Sequence, residues 1–226
     1  MLIVAMCMLS ACQTLNYYKS ERLGRADSSR SILIMPPDVE LSELSAGGVT
    51  VAKADWTNQA REHMDKALKR VFGERQALAI GYKHTAADDD PTAPVTQLIK
   101  LHNVVGRSAI SHYSFEGLHL PSKHGKFDWT LGNETKRLAR QYGANFALFT
   151  HIRDSYTSGG RAAVIIAAAL LGVGVQGGQQ FGFATLVDLR SGEIVWFNVL
   201  ARGSVDLRQY TPDEETVRAL LEKFPT

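Results

Sequence analysis

Apolar positions change their period along the chain, and each change marks an element. Ser31-Ile32-Leu33-Ile34-Met35, closed by Pro36-Pro37, is a short apolar run that predicts a buried strand. Val39, Leu41 and Glu43 alternate with Glu40, Ser42 and Leu44, and an apolar run at 49–52 follows Gly47-Gly48, so a second strand and a hairpin are expected. Over residues 55–72 the period becomes helical. Trp56, Ala60, Met64, Ala67, Leu68 and Val71 recur at steps of three and four, between a cap at Asp55 and a stop at Gly73. Arg61, Glu62, Asp65, Lys66, Lys69 and Arg70 fill the other side, which reads as a solvated face. Residues 77–82 predict another short strand. The segment 85–94, with Asp88-Asp89-Asp90, is a loop that lacks the alternating ligands and glycine of a calcium site. Val95, Leu98, Ile99, Leu101, Val105 and Ile110 predict a second helix ending near Gly106, although Val104 and Val105 also suit a strand. Residues 112–129 read as an irregular connection, 133–142 as a helix between Asn133 and Gly143, and 145–152 as a strand.

The C-terminal third carries most of the fold signal. Two β-rich runs, 180–189 and 193–201, are joined by Arg190-Ser191-Gly192 and predict a hairpin. Phe181, Phe183, Val187 and Leu189 share one face of its first strand. In the second, Ile194, Trp196 and Leu200 alternate with Val195, Phe197 and Val199, so that strand is apolar on both faces and expected to be covered on both sides. Thr211-Pro212-Asp213-Glu214 opens a last helix with a cap, a proline and first-turn acids; its Val217, Leu220, Leu221 and Phe224 dock onto the sheet. The fold class is therefore α/β (α+β): a mixed β-sheet with helices packed on it, ending in a β-hairpin and a final helix.

One stretch fits no such pattern. After Gly159-Gly160-Arg161, residues 162–175 carry no charged or polar side chain. They are too few to span a bilayer, which takes about 20 apolar residues. Three placements stay open, in order of preference: a helix buried against the sheet, a subunit or partner interface, and shallow insertion into a membrane. Interface candidates are Ile165, Ile166, Leu170, Leu171, Gly174 and Gly178, the glycines falling on a four-residue spacing with Gly182. Gly172-Val-Gly174-Val-Gln-Gly177 matches a dinucleotide fingerprint in letters alone, because an alanine-rich run precedes it and a strand follows.

At the N-terminus an apolar run ends in Leu9-Ser10-Ala11-Cys12 and turns polar at once, the pattern of a secretory signal. It resembles the lipobox of bacterial lipoproteins, which implies cleavage before Cys12 and lipidation of its thiol; Gln13, being other than Asp, implies an outer-membrane address. The expected organisation is a signal peptide at 1–11, a tether at 12–30 and one periplasmic domain at 31–226. Of the two cysteines, Cys7 leaves with the signal and Cys12 carries the lipid, so no disulfide, thiol nucleophile or thiolate metal site is expected. Interleaved charges, 25 basic and 23 acidic for a net of +2, give no basic stripe and argue against nucleic acid.

Phe146-Ala-Leu-Phe149, Phe183-Ala-Thr-Leu-Val-Asp-Leu-Arg190 and Ser191-Gly-Glu-Ile-Val-Trp196 resemble periplasmic α/β domains of the curli secretion lipoprotein, of the Tol-system translocation protein and of lipoprotein activators of peptidoglycan synthases. That resemblance implies envelope assembly through protein contacts and transfers no catalytic residue. The expected function is a lipid-anchored, non-catalytic binding or assembly component at the outer membrane, self-associating or meeting envelope proteins, with Trp196 and the 162–175 segment at its structural centre and no cofactor. The alternative is a metal-dependent hydrolase using His112, His119 and His124. His151, Arg153 and Asp154 read as the satisfied polar end of a buried strand.

Overall fold

The computed structural model describes residues 18–19, 31–75 and 78–225. Cys12, the lipobox and the 12–30 tether lie outside the described residues, apart from Tyr18 and Lys19. In chain order the elements are β1 (Tyr18–Lys19), β2 (Ser31–Ile34), β3 (Asp38–Leu44), β4 (Thr50–Ala52), α1 (Ala54–Glu74), β5 (Leu78–Gly81), α2 (Pro94–Ser114), α3 (Thr135–Tyr142), β6 (Phe146–Thr157), α4 (Gly159–Leu170), β7 (Gln179–Asp188), β8 (Ile194–Gly203) and α5 (Tyr210–Leu220).

β6 is the strand on which both halves of the mixed sheet are built, in the order β1-β8-β7-β6-β2-β5. Its first residues pair in parallel with β2, from Ile32 opposite Phe146 to Ile34 opposite Leu148; its remainder pairs with β3, from Asp38 opposite His151 to Leu44 opposite Thr157. Pro36 and Pro37 have no N–H to give to a ladder. The break therefore falls at the prolines, and β2 and β3 act as one interrupted strand. β7 and β8 follow β6 as an antiparallel meander, and β4 folds back on β3.

Both faces are covered. Successive side chains of a strand point to opposite sides, so Ile32 and Ile34 meet α1 and α5, whereas Leu33 and Met35 meet α2 and α3. On the first side Met64, Leu68, Val71 and Phe72 of α1 and Val217 and Leu220 of α5 pack on Leu148, Ile152, Leu186 and Trp196. On the second, Val95, Leu98 and Ala109 of α2 join Trp129, Leu131 and Leu138 over Ala147, Phe149, Phe183, Val187 and Phe197. Trp196 is fully buried, and its indole N–H donates to the carbonyl of Lys223 at 3.1 Å.

Several boundaries differ from the sequence expectation for physical reasons. α2 neither ends at Gly106 nor turns to strand. Gly106 lies buried where the helix crosses Phe183, so the glycine serves close packing rather than termination. His112 consequently belongs to the last turn of α2 and not to a loop. A register shift in the β7–β8 ladder pairs Leu186 with Trp196 but Val187 with Ile194. Val195 is the extra residue of a bulge, so Val195 and Trp196 face the α1–α5 layer together while Ile194 turns to the other side. α1 starts after Lys53 without a side-chain cap, holds Asp55 in its first turn and passes Gly73. α3 starts at Thr135 rather than after Asn133 and ends, as expected, at Gly143 in the left-handed region. α5 starts at Tyr210, with Thr211 already inside it. The largest departure is α4, which has no buried residue and belongs to neither layer. The placement preferred from sequence, a helix buried against the sheet at the structural centre, is overturned; only Trp196 occupies that centre.

Candidate interaction surface

α4 grows out of the connection between β6 and β7. Those strands are hydrogen-bonded antiparallel neighbours, a pair that ordinarily needs about two to five connecting residues, yet residues 158–178 intervene. The excursion is built to hold a shape. Ser158 caps α4 by accepting from Arg161 N at 3.1 Å, and the Arg161 guanidinium donates to the Gln176 carbonyl at 2.9 and 3.2 Å and to the Ala46 carbonyl at 3.4 Å, tying the start of the helix to the returning chain and to the β3–β4 turn. Val173 N donates to the Ala168 carbonyl at 2.9 Å, and Gly172 takes the positive φ of 72° that turns the chain back.

What this frame presents is apolar. Ile166 is 64% exposed, Leu170 84%, Leu171 81%, Val173 55% and Val164 38%. At about 100° per residue, Val164 and Leu171 lie on one side of the helix and Ile166 and Leu170 on nearly the opposite one, so apolar side chains meet solvent over most of its circumference. The remaining interface candidates sit differently. Ile165 is half-buried beside Gly177, Gly174 is open, and Gly178 is half-buried against the Ser155 carbonyl, with its N–H on Thr157 Oγ1 at 2.8 Å. The β3–β4 turn ends at the same pole, because Leu44 pairs with Thr157, and it adds Val49 and Val51, both exposed. Exposed apolar residues also occur on α2 at Leu101 and Val104, but there Lys100, Arg107 and Ser108 separate them.

Beneath this pole lies a buried polar group that the sequence did not reveal. Asp154 Oδ2 accepts from Gln180 Nε2 at 3.0 Å; Gln180 Oε1 accepts from Arg202 Nε at 2.7 Å; and Arg202 Nη2 donates to Thr216 Oγ1 at 2.7 Å. Burial pushes Asp154 up to about 7, with Gln180 and Tyr156 among the groups that hold it back. Asp213, fully buried, is pushed up to about 8 by burial and by the neighbouring Asp154 and Asp206; His63 Nδ1 lies 3.2 Å away, not aligned for a hydrogen bond. On the other face of the sheet His151 Nδ1 meets Asp38 Oδ2 at 2.8 Å, and Arg153 Nη2 meets Asp38 Oδ1 at 2.9 Å. Burial works against ionisation of Asp38, but His151 and Arg153 outweigh it and bring the carboxyl below its ordinary value. His151 and Arg153 thus form an internal, satisfied cluster, whereas Asp154 points to the opposite side. His102, fully buried, lies between the rings of Phe149 and Phe183, both centroids at 5.1 Å, and burial depresses it to about 3.

The histidines of the alternative reading do not assemble a metal site. His112 Nδ1 accepts the Leu120 N–H at 2.7 Å, the His112 and His119 rings stand 5.4 Å apart edge to face, and His124 sits in a left-handed turn. Among the described residues no three metal-ligating side chains come together. A cleft of about 640 Å³ opens between α1 and the start of α2, at the carboxyl ends of β2 and β5. Its charges largely answer one another: Lys69 meets Asp65 at 2.6 Å, His84 meets Asp89 at 3.0 Å, and Asp38 is held as described. Among the described residues no helix is long and apolar enough to cross a membrane.

No family model matches the chain, and no curated protein matches it. Among solved structures the chain is similar to the PelC dodecamer from Paraburkholderia phytofirmans, at 10% identity and a TM-score of 0.41 over 91% of this chain and 94% of that one. It is similar also to a single-substitution variant of that dodecamer, at 10% identity and a TM-score of 0.40 over 91% and 93%.

Proposed function

We propose that this chain is a lipid-anchored envelope protein that works by contact rather than turnover, held through Cys12 at the outer membrane with its folded part in the periplasm, and that α4 with the β3–β4 turn is its contact surface. One observation supports this above the rest: a capped, braced helix displays Ile166, Leu170, Leu171 and Val173 to solvent at a place where the fold needs a turn. A concentrated apolar patch of this kind marks an interaction site, because exposing it to water is otherwise unfavourable. The buried His102 and the Asp38–His151–Arg153 cluster have the character of core polar groups, enclosed and mostly partnered.

Radiolabelled palmitate tests the anchor: incorporation into the wild type and its loss in Cys12→Ala are expected, and an unlabelled wild type refutes it. Ile166→Asp tests the surface. Because Ile166 is exposed, stability should stay within about 0.5 kcal/mol of wild type while association through α4 is lost. Unfolding of that variant would return α4 to the core and end this reading.

A further inference from the structure

Resting on the anchored reading, we infer that the α4 pole is occupied by the bilayer itself: α4 lies in the outer part of the leaflet that receives the Cys12 lipid, with the β3–β4 turn beside it. Three observations favour a membrane over a protein partner. First, the apolar exposure goes round the helix. A protein partner buries one stripe and leaves the far side in water, which would strand either Val164 and Leu171 or Ile166 and Leu170. A fluid apolar medium surrounds them all. Second, no charged residue follows Arg161 in α4, and the Arg161 guanidinium is already bound to backbone carbonyls of Gln176 and Ala46, so no charge need enter hydrocarbon. The twelve residues of α4 span about 18 Å, enough to lie in one leaflet and too little to cross.

Third, the chain toward Cys12 is aimed at this pole. β1 is antiparallel to β8, with Tyr18 opposite Phe197 and Lys19 opposite Trp196, so the chain preceding Tyr18 heads toward the Gly203 end. That is where β6 ends, α4 rises and β7 begins, since Gln179 pairs with Gly203. Six residues separate Cys12 from Tyr18 and the same number separate Phe197 from Gly203, a reach of about 20 Å in both cases. A lipid on Cys12 can therefore enter a bilayer lying against α4 without strain in the connection. With the anchor and the apolar helix at one pole, the opposite pole, at the β7–β8 turn, faces away.

The test uses the full chain, processed and acylated in a bacterial host, in vesicles of phosphatidylethanolamine and phosphatidylglycerol with or without brominated acyl chains. Leu170→Trp places a reporter on α4, and Arg190→Trp places one at the opposite pole; both positions are exposed, so folding is retained. Quenching of the Leu170→Trp emission by brominated lipid, with Arg190→Trp unaffected, is the expected result. Equal, background-level quenching at both positions in protein shown by mass spectrometry to be acylated overturns the membrane placement and leaves the anchored reading standing. Absence of acylation defeats the anchored reading itself. A Leu170→Trp signal shielded from both brominated lipid and aqueous iodide, with a higher oligomer on ultracentrifugation, assigns the pole to a second copy and equally overturns the inference.

Discussion

Gly106→Ala is the sharpest test of how the second layer packs, because two known effects oppose each other there. In an exposed helix interior the substitution stabilises by about 1 kcal/mol, since alanine loses less backbone freedom on folding. At Gly106 an added Cβ would stand 2.5 Å from Cζ of Phe183 and closer still to Cε2, where carbon atoms need about 3.5–4.0 Å. The ring cannot step aside: Phe183 is fully buried and lies against His151 at 4.8 Å, His102 at 5.1 Å and Phe197 at 5.6 Å between centroids. Overpacking of such a core costs about 1–3 kcal/mol, and set against the propensity gain a net loss of about 1–2 kcal/mol is expected. Urea unfolding followed by near-ultraviolet circular dichroism would show a lower midpoint at unchanged slope. Phe183→Leu in the same chain should relieve part of that loss, giving a coupling of about 1 kcal/mol in a double-mutant cycle. A stabilised Gly106→Ala, or strict additivity with Phe183→Leu, would refute the packing role assigned to this glycine.

The buried carboxyls and His102 set the pH dependence. Asp213 rises from 3.8 to about 8 and Asp154 from 3.8 to about 7, so the native state holds protons that the unfolded chain has lost; stability conferred below about pH 4 is given up as pH rises through these values. Asp213→Asn should therefore be close to wild type near pH 4 and more stable near pH 8, by urea midpoints across that range; indistinguishable curves at the alkaline end would sink the assignment. His102 acts from the other side. Its depression from 6.5 to about 3 means that stability is lost as pH falls through that interval, and His102→Phe should blunt the acid limb of the same curve. Arg161→Ala removes the guanidinium that joins Gln176 and Ala46; faster chymotrypsin cleavage around residues 170–173 with an unchanged global midpoint is expected, and an unchanged cleavage rate would count against the brace.

Most of the layer structure was legible because its signals are local. The helical period of α1, the glycine after α3, the paired runs flanking Arg190-Ser191-Gly192 and the proline break after β2 each encode their element within a few residues. The parts that escaped depend on distant partners. β8 is apolar on both faces, so its sequence offers no polar residue to reveal that Val195 is a bulge and that the parity changes there. Gly106 looks like a helix stop until Phe183 is placed over it. Asp213 reads as a first-turn acid suited to a helix N-terminus, yet tertiary packing takes it out of water entirely. His102 drew no notice beside the three histidines further on, because no local pattern separates a buried histidine from an exposed one. For residues 162–175, composition demanded shelter from water and could not say what provides it; the sheet was the default, and the sheet was already covered on both faces.

That last point leads to a test at the level of architecture. The two ends of the β6–β7–β8 meander are closed in contrasting ways. At one end Asp188 Oδ1 accepts from Arg190 N at 2.7 Å and Ser191 N at 3.1 Å, Gly192 adopts a φ of 80°, and Leu131 N donates to the Gly192 carbonyl at 2.8 Å, so a few residues make the whole turn. At the other end α4 occupies the place of such a turn without contributing a buried side chain. Replacing residues 159–177 by an Asn-Gly turn should therefore leave both core layers intact. Shortening the connection changes closure entropy by only about 0.6 kcal/mol per halving, and the lost contacts, Arg161 with Ala46 and Gly178 N with Thr157, are peripheral. The unfolding midpoint should stay within about 1 kcal/mol of wild type, while Leu170 and its neighbours, and with them the attachment of this pole, are gone. A shortened chain that fails to fold would show that α4 belongs to the core after all, and the assignment of this end as a contact surface would fail with it.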